Sequence, residues 1–170
     1  MQILLVRHAI AEDRAAFATT GATDDERPLT ERGTERMRAA ATGLATLLDA
    51  LDLIGTSPLV RARQTADLVA ERFPRATRET FDWMAPGGER SSALEWLAHA
   101  DLASVALVGH EPDIGELASW LLCGRPLPFV EFKKGAACLL GVDGQVQTGG
   151  ATLHWLLAPR QLRALGATHR

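Results

Sequence analysis

Apolar positions along the chain fall into two rhythms. Short continuous runs, at Gln2 to Val6, Asp52 to Thr56 (DLIGT) and Ala103 to Val108 (ASVALV), have the pattern of strands buried on both faces. Between them apolar residues recur at helical spacing. Met37, Ala40, Ala41, Leu44, Leu47, Leu48 and Leu51 share one face of a helix that Thr30 can N-cap. Ser57 and Pro58 offer an N-cap and a first-turn proline for a helix to about Phe73, which puts Arg61 in its first or second turn. Ile114, Leu117, Ala118, Leu121 and Leu122 repeat at i, i+3, i+4, i+7, i+8 after Pro112 and stop at Gly124. A weaker strand near Thr77 to Phe81 and the loop MAPGGE lead into an amphipathic helix from Ser91 to about His99. By contrast, Ala9 to Pro28 is irregular and acidic, a long loop of the kind that is usually functional.

The last third changes character. Val130 to Lys133, Ala137 to Val142 and Ala151 to Leu157, separated by Gly-rich turns, read as strands in hairpin order, and Pro159 to Leu165 as a terminal helix. Alternating strands and helices with an antiparallel addition predict an α/β fold, a three-layer α/β/α arrangement around a mixed, mainly parallel central sheet. Residues 1–170 form a single domain in this reading.

Composition narrows the partners. With 46% hydrophobic and 23% charged residues, the chain can bury a core of its own. The formal charge is −3 and Lys and Arg are scattered, so neither nucleic acid nor a membrane is expected as a partner, and any anionic ligand is small and locally held. The N-terminal apolar run is shorter than the ~7–15 residues of a signal-peptide core. Cys123 and Cys138 lack metal-ligand spacing and sit in apolar surroundings, as buried thiols of a cytoplasmic protein do. The chain is expected to act as a monomer.

Candidate chemistry gathers at strand ends. Arg7-His8 closes the first apolar run, Gly109-His110 closes the third, and Ser57-Pro58-x-x-Arg61 opens the helix after the second. In open α/β sheets ligands bind in the crevice outside the carboxyl ends of the strands, so these segments bring two imidazoles and two guanidiniums to one place. Phosphate suits it. Guanidinium grips two phosphate oxygens at once, and helix N-termini after Ser57 and His110 add N–H donors. Among such cations an imidazole is held neutral, and one ring nitrogen can attack phosphorus while the second imidazole, if protonated, bonds to the equatorial oxygens. Arg27 can reach the phosphate from the loop, and Ser57 can touch the site as well as cap a helix.

VRHA (Val6 to Ala9), RPLTERG (Arg27 to Gly33), TSPLVRARQTA (Thr56 to Ala66) and VGHEPDIG (Val108 to Gly115) together resemble the histidine phosphatase, or phosphoglycerate mutase-like, superfamily, over about Met1 to Leu122. The resemblance implies a phosphoglycerate mutase-like fold, with His8 as the residue that becomes phosphorylated, Arg7, Arg61 and His110 completing the phosphate pocket, and neither metal nor organic cofactor. It is closest to the short SixA-like branch, named for a bacterial phosphohistidine phosphatase. That implies a shallow pocket open to a phosphohistidine-bearing protein such as a phosphorelay domain or a phosphotransfer carrier.

Two departures matter. Ala9 stands where many members have Gly. The carboxyl group that many members place after the third strand to protonate a leaving oxygen has no secure match in TRETFDWMAPGGE, where Glu79, Asp82 and Glu89 are available. General acid help is typically worth about 10²–10⁴ in rate, so its absence penalises alkyl phosphates more than phosphohistidine, whose P–N bond is weaker. Three alternatives stand beside a phosphohistidine phosphatase: a small-molecule phosphatase of the same superfamily, a phosphate-binding module without turnover, and a metallohydrolase, for which HxH and HExxH spacings are missing. His99, His154 and His169 are read as structural or terminal, and Trp83, Trp96, Trp120 and Trp155 as packing.

Overall fold

A computed structural model describes residues 1–168, for residue 90 the backbone only; His169 lies outside the described residues. Six strands form one sheet: β1 (Gln2–Arg7), β2 (Leu53–Thr56), β3 (Thr77–Thr80), β4 (Ser104–Gly109), β5 (Ala137–Val142) and β6 (Ala151–Leu157). Their order is β3-β2-β4-β1-β5-β6, with β3, β2, β4 and β1 parallel and β5 and β6 added antiparallel. The expected mixed, mainly parallel sheet is therefore present.

Continuous apolar runs arise because β1 and β4 are central and covered on both sides. Leu4 and Val6 face a core shared with α2 (Glu31–Leu44), α3 (Val60–Ala70) and α6 (Pro159–Ala167), where Met37, Val69 and Leu162 are buried. Ile3 and Leu5 face the opposite core, with Leu97 of α4 (Arg90–His99) and Leu117 and Leu121 of α5 (Asp113–Cys123). These two cores are the outer layers' contacts with the sheet. β1 and β4 pair in parallel as far as Arg7↔Gly109, so both chains leave the sheet side by side with His8 and His110 next in line. His8 N donates to Gly109 O at 3.0 Å, which extends the pairing by one bond.

Thr30 caps α2 as expected, its hydroxyl accepting from Gly33 N at 2.9 Å. Gly33 is needed there: a Cβ would lie 2.0 Å from Ile10 O, because the first turn of α2 presses on the chain leaving His8. Farther along, a Cβ on Gly43 would lie 1.9 Å from Leu162 O, and its absence lets α2 and α6 pack closely. Gly124 closes α5 in the left-handed conformation at φ 75°.

Several boundaries differ from the sequence expectations. Helix α2 ends at Leu44, where Leu47 N and Leu48 N both return to Leu44 O, so Leu48 and Leu51 are buried from the turns beyond it and Leu47 is exposed. The N-cap of α3 is Leu59 rather than Ser57; Pro58 lies outside the helix, and the Ser57 hydroxyl is engaged by a histidine described below. Residues 130–133 are not a strand. Phe132 N donates to Glu111 Oε1 at 2.6 Å and Phe132 O accepts from Arg7 Nη1, so side chains take the backbone groups a neighbouring strand would have used. Cys138 is buried, but Cys123, the last residue of α5, is exposed, its thiol donating to Ser119 O. The long loop also holds a short helix, α1 (Arg14–Ala18), capped by Asp13, and a 3-10 turn at Asp24–Glu26.

Candidate active site

The strand ends converge on a cleft of ≈ 500 Å³ lined by Arg7, His8, Arg27, Arg61, His110 and Glu111, with Glu12, Asp13, Arg14 and Lys134 at its sides. The His8 and His110 rings lie 5.0 Å apart, centroid to centroid, tilted by 54°. His8 Nδ1 is 2.7 Å from Ala9 O. A carbonyl can only accept, so Nδ1 carries the proton and Nε2 keeps the lone pair. Ala9 has no positive φ, so the missing glycine leaves no strain, and Ala9 N donates to Thr65 Oγ1 at 3.0 Å.

His8 and His110 are 6% and 4% exposed. Burial, offset in part by the Ala9 hydrogen bond and reinforced by His110, Arg61 and Arg7, pushes His8 down to about 3. Burial, then Arg61 and Arg7, pushes His110 down to about 4. Both rings are neutral at pH 7. Neighbouring cations act in the expected direction, but desolvation is the larger cause. Ser57 Oγ and His110 Nε2 share a hydrogen bond of 2.8 Å, which fixes the second imidazole and brings Ser57 to the edge of the site rather than into the lining of the cleft.

Arg61, only 3% exposed, holds the loop: Nη1 donates to Asp24 O at 2.8 Å and Nη2 to Asp24 Oδ2 at 3.2 Å. Arg27 Nε donates to Asp24 Oδ1 at 2.8 Å and its Nη1 to Glu12 O, and Arg14 reaches both carboxylate oxygens. One carboxylate thus meets three guanidiniums, led by the Arg27 hydrogen bond, and its pKa falls to about 2. Among the described residues, two buried guanidinium nitrogens, Arg7 Nε and Arg61 Nε, have no hydrogen-bond partner. Donors left open on two side chains that line a polar cleft suit an oxyanion.

The acids proposed from sequence lie elsewhere. Glu79 is exposed on β3 at the sheet edge, Asp82 is exposed in a 3-10 turn, and exposed Glu89 accepts from Ser91 Oγ; none lines the cleft. Sequence reasoning missed Asp24, whose only local signal is its spacing of three from Arg27, and Glu111, the residue after His110. Burial raises the Glu111 pKa. His99 Nδ1 lies 2.7 Å from Glu95 O on its own helix, and Trp83 and Trp96 pack with Phe81, as a packing role requires.

The family model for the histidine phosphatase superfamily (branch 1) matches residues 3–84. An uncharacterized protein of Picosynechococcus sp. is 38% identical over 79% of this chain and 81% of its own. Phosphohistidine phosphatase SixA of Escherichia coli is 29% identical over 96% of this chain and 97% of its own. The chain belongs to the histidine phosphatase superfamily. A solved structure of the protein histidine phosphatase SixA complexed with tungstate covers 95% of this chain and 99% of its own, with 27% identity and a TM-score of 0.80. Within the superfamily the chain is thus a phosphatase similar to the SixA-like branch. The family model covers Arg7, His8, Arg27, Ser57 and Arg61 and stops before His110, which the SixA alignments include by their extent.

Proposed function

We propose that this phosphatase removes phosphate from phosphohistidine on a partner protein through a phospho-His8 intermediate. The observation that carries the reading is the pair of neutral, buried imidazoles 5.0 Å apart beside the guanidiniums of Arg7 and Arg61, whose buried Nε atoms are unpartnered among the described residues. His8 Nε2 attacks phosphorus in line on the phosphoimidazolium form of the substrate, whose other ring nitrogen has taken a proton from solvent; the substrate P–N bond breaks, and its electron pair leaves with a neutral imidazole. Arg7, Arg61 and His110 hold the equatorial oxygens, with Arg27 supporting Asp24 and so the position of Arg61. Water then attacks phospho-His8, its P–N bond breaks, and inorganic phosphate leaves.

The substrate class follows from the leaving group. Glu79, Asp82 and Glu89 lie outside the cleft, and an imidazole leaving group needs less protonation than an alkoxide. The similarity to SixA, a phosphohistidine phosphatase bound in one structure to the oxyanion tungstate, supports the same choice. A small-molecule phosphatase is the second reading, favoured by Glu111, Glu12 and Asp13, carboxyl groups that do line the cleft.

Phosphate release is measured from a phosphohistidine-bearing carrier protein and from an aryl phosphate, with and without chelator, for wild type and His8→Ala. The expected result is chelator-insensitive release favouring the carrier, lost by at least ~10³-fold in His8→Ala with folding intact. Wild-type activity in His8→Ala would end the covalent mechanism, and efficient release from the aryl ester alone would select the second reading.

A further inference from the structure

A second depression, of ≈ 370 Å³, opens between α2, α6 and residues 133–135. Arg36, Lys133, Lys134, Arg160 and Arg163 line it, and no carboxylate among the described residues does. Met37, Ala40 and Pro159 supply its apolar surface. It neighbours the phosphate cleft: Lys134 lines both, and Ala9, which follows His8 in the chain, lines this one.

Among the described residues, ion pairs connect Arg14, Arg27 and Arg61 to Asp24, Arg38 to Glu71, and Arg78 to Asp67; none takes up any of the five groove cations. Arg163 is half-buried, and burial together with Arg36, Arg160 and Arg32 lowers its pKa. Gathering five like charges in one recess opposes folding through self-repulsion. The chain as a whole carries a net charge of −3, so the concentration is local, against the scatter seen in the sequence. An interface partner of opposite charge removes that repulsion, speeds encounter and fixes orientation.

We propose that this groove docks an acidic segment flanking the phosphohistidine of the partner protein and so directs the phosphorylated ring into the adjoining cleft; the inference rests on the phosphohistidine reading above. An extended acidic segment fits better than other polyanions. The recess lies between two helices rather than on a flat face suited to a bilayer, and among the described residues no aromatic side chain lines it on which bases could stack.

The test uses two phosphohistidine peptides with the same core, one flanked by Asp and Glu and the other by Ser and Ala. Wild type is compared with Arg36→Gln/Arg160→Gln/Arg163→Gln, which leaves the residues of the phosphate cleft in place. In wild type the KM for the acidic peptide should be lower by about tenfold, an advantage that fades as salt shortens the Debye length. The variant should lose that preference while kcat and activity on an aryl phosphate are retained and thermal stability is retained or raised, since self-repulsion is relieved. Equal KM values in wild type, or a preference that survives in the variant, would overturn the docking role and leave the phosphohistidine reading standing. Tighter binding of an oligonucleotide of matched charge, or of anionic phosphatidylglycerol vesicles, lost in the variant, would assign the groove to that polyanion instead. Turnover of an aryl phosphate with neither peptide cleaved would remove the substrate reading and the docking partner with it.

Discussion

At the residue scale, Asp24 is the least expected member of the site. Its carboxylate occupies Arg61, Arg27 and Arg14 together, and Arg61 is one of the groups an incoming phosphate needs. An anion and Asp24 therefore compete for the same guanidinium. Asp24→Asn keeps the backbone carbonyl that Arg61 Nη1 uses and removes the competing charge. Inorganic phosphate should inhibit this variant several-fold more strongly, at a stability cost of about 1 kcal/mol or less, since the carboxylate is partly exposed. Inhibition constants and urea midpoints read the two effects separately, and an unchanged phosphate constant would show that Asp24 only braces the loop. His8, His110, Arg7 and Arg61 were legible because each stands at the end of an apolar run or at the start of a helix. Asp24 was not, since its meaning depends on Arg61, which the fold brings from another element. Glu111 was hidden for the same reason: its partner is the backbone of Phe132.

Element boundaries depend on who takes the backbone hydrogen bonds. In β1, β2, β4 and β5 burial is written into the order of side chains, whereas β3 is exposed throughout and β6 has no buried residue; sequence rhythm nonetheless located every strand of the sheet. It added a false one at residues 130–133, where apolar Val130 and Phe132 alternate with Glu131 and Lys133 but the amide and carbonyl of Phe132 go to Glu111 and Arg7. Such a capture leaves no trace in hydropathy. Ser57 was misread as the N-cap of α3, a position Leu59 takes; the Ser57 hydroxyl accepts from Leu59 N at 3.3 Å, short of the helix, and meets His110 Nε2. Helix α1 escaped notice because none of its residues is buried. Gly33 gives this scale a prediction that opposes propensity. Replacing a helical glycine by alanine ordinarily stabilises by about 1 kcal/mol. Here the new Cβ would meet Ile10 O at 2.0 Å, a backbone atom of the segment that leaves His8. Gly33→Ala should lower the melting temperature and reduce kcat/KM together, and a rise in the melting temperature with full activity would show that the α2 contact is slack.

For the whole molecule, keeping two neutral histidines buried makes stability depend on pH in a calculable direction. His8 and His110 have folded-state pKa values pushed to about 3 and about 4, below the 6.5 of a free imidazole. The unfolded chain therefore binds more protons than the folded one between these limits. Stability is complete above pH 6.5 and falls as pH drops, by up to about 1.4 kcal/mol per pH unit for each ring. Both rings act down to about pH 4 and His8 alone down to about 3. Asp24 adds a loss of the same sign lower still, its stabilisation being present above its unfolded value of 3.8 and vanishing as pH falls through about 2. Glu111, raised by burial, works in the opposite sense over the carboxylate range, so the net slope steepens below pH 6.5 as the unfolded imidazoles fill with protons and is reduced again where Glu111 titrates. Urea unfolding of wild type and His8→Ala at several pH values between 7.5 and 5 isolates the effect, because the cavity left by the substitution shifts all the values equally while the missing ring changes the slope. The variant should show about half the wild-type decline per pH unit. A flat wild-type profile through this range would mean that the two imidazoles are hydrated in the folded chain, so that burial is not what keeps the nucleophile neutral.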